Sequence, residues 1–72
     1  VGGAVADAIG ARLGRLSQGV QVVCVTHAPQ VAARAERHFL IAKDPVKGGR
    51  VATRVMPLAQ AERQEEIARM LA

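Results

Sequence analysis

Seventy-two residues make one small domain at most, and a chain of this size buries only about 60% of the surface that its unfolded form exposes. Half of the residues are apolar, but with one Phe and no Tyr or Trp the core must be built from Val, Ala, Leu and Ile, and no aromatic platform for stacking single-stranded nucleic acid is available. Ten Lys and Arg against six Asp and Glu leave a net charge of +4, dispersed along the chain, which permits attraction to nucleotide or nucleic acid without marking a patch.

The sequence opens on Val1-Gly2-Gly3 without a methionine, in the manner of a cut loop, and the expectation is a piece of a longer chain. In residues 4–17, Val5, Ile9, Leu13 and Leu16 recur at helical spacing and predict one apolar stripe. Asp7 lies early and Arg12 and Arg15 late, as the helix dipole favours. Gly10 and Gly14 each cost about 1 kcal/mol of helix propensity, and their spacing puts both near one side, where close packing against a sheet is the plain reading. The helix is too short and too charged for a membrane dimer. Ser17-Gln18-Gly19 ends it, with Gly19 expected as a left-handed cap.

Val20, Val22, Val23 and Val25 leave both faces of residues 20–26 apolar, the pattern of a central parallel strand covered by helices on each side. Thr26 and His27 then stand at its carboxyl end, the edge at which open α/β sheets bind ligands. Pro29 suits a first helical position. A helix from about Pro29 to Glu36 would bury Val31, Ala32 and Ala35, expose Gln30, Arg34 and Arg37, and need tertiary support.

A second strand is predicted from Phe39 to Ala42, leading in from His38 and ending at Lys43, followed by the turn-rich connection 44–50. Val51 to Met56 alternates, with Val51, Thr53 and Val55 on one face, and is expected to pair antiparallel with the preceding strand at a sheet edge. Pro57 ends it. Leu58 to Leu71 predicts the last helix, with Leu58, Ala61, Ile67, Ala68 and Leu71 inward. Glu62, Arg63, Gln64, Glu65, Glu66 and Arg69 are expected in solvent, with Glu65 attracting Arg69. The order is helix, buried strand, short helix, antiparallel strand pair, helix: an α/β chain.

His27 is the residue most suited to chemistry, because imidazole can donate a charge-assisted hydrogen bond to phosphate or orient a water near neutral pH. A structural histidine is the alternative that the pattern leaves open. Cys24 would point to the opposite face of a strand from His27 and is expected in the core. Cys24, His27 and His38 lack the spacing of a metal site, so no metal is expected, and His38 is read as a surface residue. Gly2-Gly3 ahead of a helix is weak evidence for anion binding, there being no Gly-x-x-x-x-Gly-Lys-Ser/Thr loop. Lys47-Gly48-Gly49-Arg50 is read as a flexible hairpin. Arg12, Arg15, Arg34 and Arg37 are candidates for a DNA- or partner-facing surface, with scattered solubilising charge the plainer reading.

The stretch from Val22 to Ala33, VVCVTHAPQVAA, preceded by Gly2 to Gly10 and followed by Glu65 to Leu71, closely resembles the carboxyl-terminal part of the RecN family, SMC-like members of the ABC ATPase superfamily that act in bacterial DNA repair. The likeness covers essentially all 72 residues, and Val-Thr-His-x-Pro-Gln-Val-Ala is its most specific element; Ala28 stands where Leu or Ser is more usual. It implies that residues 1–72 are one incomplete domain, the end of a P-loop ATPase head. His27 would be the switch histidine beside the γ-phosphate, and Val1, Gly2 and Gly3 the tail of the loop that follows the Walker B carboxylates. Gln30 and its helix would support the histidine. The implied cofactors are ATP and Mg²⁺, and the implied partners are the rest of the head, a second head in a homodimer, and DNA. The implied role is in double-strand break repair and recombination.

The expected location is cytoplasmic, and nucleoid-associated on the resemblance: no apolar run approaches the roughly 20 residues that cross a bilayer, no membrane partner is expected, and the single cysteine suits a reducing compartment. The phosphate-cradling lysine, the Walker B Asp-Glu pair and the signature motif are absent from these residues, so the 72-residue chain by itself is expected to be inactive. Uncovered strand edges are expected to be masked by oligomerisation or strand exchange. The alternatives are a DNA- or protein-binding module using the basic residues, and a purely structural segment.

Overall fold

The computed structural model describes residues 2–72. In chain order these form helix α1 (Gly3–Leu16), the single turn α2 (Pro29–Ala32), strands β1 (Phe39–Pro45) and β2 (Val51–Pro57), and helix α3 (Gln60–Leu71). The two strands make one antiparallel sheet in which Phe39 pairs with Pro57 and Pro45 with Val51.

The hairpin follows from its turn chemistry. Gly48 and Gly49 hold φ of 86° and 75°, values that side-chain-bearing residues rarely adopt, and the Val46 N–H closes the loop on the Arg50 carbonyl at 2.9 Å. Arg54 and Asp44 bridge the strands at 3.0 Å. Beyond β2, the Leu58 N–H donates to the His38 carbonyl at 2.9 Å, and the Ala59 N–H donates to the Glu62 carboxylate at 2.9 Å. These two bonds keep residues 58 and 59 out of α3, which therefore starts two residues later than the periodicity predicts. Ala59 has no side-chain acceptor, so the cap is half of a capping box.

The Val-rich run at 20–26 is not a strand. Among the described residues, no strand lies beside it to pair with its N–H and C=O groups, so no ladder forms. Val23 and Val25 are 86% and 84% exposed, and Cys24 is exposed too, not in a core. The same missing layer changes α1. Its small residues Ala6 and Gly10 are buried while Val5, Ile9 and Leu16 stand in solvent, and Gly10 packs against α2 instead of a sheet.

Gly19 does not adopt the left-handed cap; α1 unwinds through Ser17 in helical geometry, whose N–H reaches the Leu13 carbonyl at 2.9 Å. Asp7 lies outside the first turn of α1 and pairs with Arg34 at 3.8 Å. The short helix stops at Ala32, not Glu36, and continues as tight turns to Ala35.

Ala6 and Ala32 are the buried apolar residues, and no large side chain among those described is fully buried. Size scaling gives a compact chain of this mass about 4,300 Å² of accessible surface; this one exposes 5872 Å². Its radius of gyration is 14.2 Å, against about 11 Å for a compact domain of this length. The elements are in place, but the layer that would bury their apolar faces is not.

Candidate functional site

Thr26 and Pro29 fix the backbone around His27. The Thr26 hydroxyl oxygen accepts the Ala28 N–H at 3.0 Å, closing a local turn, and Pro29 occupies the first position of α2 with Ala28 as its extended cap. Between these constraints His27 is exposed. It lines a cleft of about 460 Å³ whose opposite wall is the start of α1, through Gly3, Ala6 and Ile9.

Two close approaches hold that wall. A Cβ built on Gly3 would touch the Gln30 amide nitrogen at 3.4 Å, and one on Gly10 would come within 2.8 Å of the Gln30 carbonyl oxygen. The glycines of α1 therefore let its axis lie directly on α2, and residues separated by more than twenty positions share one cleft.

Of the expected site residues, His27 and Gly3 meet here. Gly2 caps α1 with extended backbone, its carbonyl accepting the Ala6 N–H at 3.0 Å. Val1 lies outside the described residues. Cys24 lines the same cleft, because without a strand the alternation that would separate it from His27 does not operate. The cleft has no lysine and no carboxylate in its lining, so nothing in it fits the magnesium ligands or the phosphate-cradling lysine of a complete ATP site; one wall, with one imidazole, is what these residues supply. Among the described residues no three His, Cys, Asp or Glu side chains converge as a metal site.

Four of the ten basic residues are engaged within the fold. Arg34, Arg54 and Arg69 pair with Asp7, Asp44 and Glu66, and Arg63 donates to backbone carbonyls at the end of α2. His38 is not a surface residue: it is half-buried, and its Nδ1 is enclosed without a hydrogen-bond partner.

On α3 the inward positions are Arg63, Glu66, Ile67 and Met70; of the series expected inward, Ile67 is so placed and Leu58, ahead of the helix, is half-buried, whereas Ala61, Ala68 and Leu71 are exposed. Two of the four are charged, which is why a reading based on hydropathy passes them over. The signal available was their helical spacing with Ile67 and Met70. Glu66 is buried and accepts from the Arg69 Nε at 2.9 and 3.1 Å; the ion pair predicted from Glu65 is made from Glu66 instead.

The Arg69 hydrogen bonds hold the Glu66 carboxyl below its ordinary 4.5, against partial burial, which pushes it up. A carboxyl depressed in the folded state stabilises the fold above its unfolded value, and that contribution is lost as pH falls through the lower folded value. The thermal midpoint of the chain is therefore expected to drop as pH falls below 4.5. Glu66→Gln should flatten this acid limb and lower the midpoint at neutral pH, both readable in thermal scans followed by circular dichroism. An acid limb unchanged in Glu66→Gln would refute the assignment.

No protein-family model matches the chain. Over 72 residues it is 51% identical to the DNA repair protein RecN of Bacillus subtilis (strain 168), a match covering 100% of this chain and 12% of that protein. The RecN proteins of Xylella fastidiosa (strain 9a5c) and Deinococcus radiodurans are each 48% identical over 71 residues, 99% of this chain and 13% and 12% of theirs. The chain thus spans about an eighth of the length of the curated relatives that it matches. At 46–51% identity over essentially its whole length, the chain matches one segment of the RecN proteins and has the sequence of a RecN fragment.

Proposed function

We propose that this segment is the carboxyl-terminal part of a single ATPase head domain in a RecN-type DNA-repair protein, with His27 as its switch histidine. The observation that carries the reading is the convergence of an exposed His27 and the first turn of α1 on one cleft. The amino-terminal turn of a helix leaves N–H groups without intrahelical partners, so Gly2 and Gly3 bring the positive end of α1 to the cleft that His27 borders. Resemblance to SMC-like ABC ATPases and the match to proteins named for DNA repair point the same way.

ATP bound in the complete head supplies the terminal phosphate. His27 donates a ring N–H toward a terminal oxygen and orients the attacking water. Thr26 and Pro29 fix the backbone that carries the imidazole, and Gln30 braces α2 against α1. Magnesium ligation, the general base and the phosphate-cradling lysine come from other parts of the protein, and hydrolysis requires them together. The same parts would cover the exposed valines of 20–26 and turn that run into a strand; a second head would close over the nucleotide, and DNA would be handled by the assembly in the bacterial cytoplasm.

The test compares two preparations. Replacement of the corresponding segment of Bacillus subtilis RecN by these 72 residues should leave ATP hydrolysis within about threefold of the parent, because half of the positions are already identical. The 72-residue chain alone should give neither tight ATP binding nor turnover. Sustained magnesium-dependent hydrolysis by the short chain, abolished by His27→Ala, would overturn the reading, as would an inactive replacement that folds and binds ATP normally.

A further inference from the structure

Arg63 reaches across from α3 to the carboxyl end of α2, the helix that follows His27. Its Nη2 donates to the Ala33 carbonyl at 3.1 Å and to the Ala32 carbonyl at 3.3 Å, and it also contacts the Ala35 carbonyl. Of these, the Ala32 carbonyl also accepts the Ala35 N–H at 3.2 Å, whereas the Ala33 and Ala35 carbonyls lie past the last turn of α2, where the chain unwinds and a cation is favoured.

One turn of helix has too few internal hydrogen bonds to hold its own geometry. α2 therefore takes its position from its neighbours. On one side Gly10 brings α1 against the Gln30 and Val31 backbone; at the far end the guanidinium clamps the carbonyls. Arginine is suited to this because it stays charged and presents several donors in a rigid fork, whereas lysine offers a single flexible point charge. Arg63 is half-buried, and its bond to the Ala32 carbonyl is partly buried while those to Ala33 and Ala35 are exposed.

We propose that Arg63 is a positioning residue for the His27 reaction: by clamping the carboxyl end of α2, it sets where the amino end, and hence the imidazole, stands relative to the bound nucleotide. The proposal rests on the reading of His27 as switch histidine. Since Arg63 touches no part of the cleft that His27 lines, its effect should fall on the rate of the chemical step and not on nucleotide affinity.

The experiment uses full-length RecN protein containing this segment, with Arg63→Ala, Arg63→Lys, His27→Ala and the double variant Arg63→Ala/His27→Ala. Loss of charge-assisted hydrogen bonds predicts a fall in kcat of about tenfold for Arg63→Ala with KM for ATP within about twofold, and a fall of about threefold for Arg63→Lys. In the double variant the rate should equal that of His27→Ala alone, because the clamp acts only through the histidine. Additive losses, a change confined to KM, or full kcat in Arg63→Ala would each overturn the proposal while leaving His27 in its role. If Arg63→Ala does not fold, Arg63→Lys carries the test, and full activity there overturns the clamp. Unchanged kcat in His27→Ala would remove the histidine reading and the clamp with it.

Discussion

Full-length RecN protein carrying His27→Ala in this segment is expected to hydrolyse ATP roughly 10² to 10³ times more slowly, the range spanned by loss of one preorganised donor to developing charge. ATP affinity should change little, since this cleft offers no lysine to phosphate and on the proposed reading the phosphate-cradling donors would come from other parts of the protein. The effect is expected to be large because His27 is the sole titratable side chain in the cleft besides Cys24, so among the described residues no other imidazole, lysine or carboxylate stands ready to replace it. His27→Gln keeps a donor of similar reach but not the imidazole's ability to pass between charged and neutral forms, and should recover part of the rate. Single-turnover hydrolysis together with nucleotide binding, measured on the same preparations, separates the two effects. A variant that binds and hydrolyses ATP at the parent rate would leave His27 without a role in the chemistry.

The parts of the chain whose shape is decided locally were legible in the sequence. The α1 stripe, the Gly48-Gly49 turn and the alternation of Val51 to Met56 located α1 and the hairpin to within a few residues, because helical spacing, positive-φ glycines and strand alternation act within one element. The exposed turn at His27 was legible for the same reason: a polar tip between a Val-rich run and a Pro-initiated helix is a local pattern. The errors lie where the outcome depends on distant groups. Val20 to Val25 carry the pattern of a covered strand, but a strand exists only when neighbours complete its ladder, and the described residues provide none. On α3, Arg63 and Glu66 turn inward because acceptors on α2 and the guanidinium of Arg69 await them, a fact that hydropathy does not encode. The clamp was invisible until α2 and α3 were placed side by side.

Two of the three glycines of α1, Gly10 and Gly14, give the sharpest stability contrast in the molecule. Gly10→Ala and Gly14→Ala make the same chemical change one helical turn apart, and each alone should gain about 1 kcal/mol of helix propensity. At Gly14 nothing lies within 4 Å of the added Cβ, so the gain is expected to appear nearly in full. At Gly10 the new carbon would sit 2.8 Å from the Gln30 carbonyl oxygen and 3.3 Å from the Val31 Cα. Both are backbone atoms, so neither yields by a side-chain rotation, and α1 and α2 must move apart. Overpacking of this kind costs about 1–3 kcal/mol, which outweighs the propensity gain. Urea titration of the 72-residue chain, followed by its helical circular dichroism, should therefore move to higher midpoint for Gly14→Ala and lower for Gly10→Ala. On the reading of His27 as switch histidine the displacement also bears on hydrolysis, because the atoms pushed aside belong to the turn that follows His27. In the full-length protein, Gly10→Ala should slow ATP hydrolysis, whereas Gly14→Ala should leave it unchanged. Equal stabilisation by both substitutions would mean that α1 does not lie against α2, and the cleft beside His27 would lose its opposite wall.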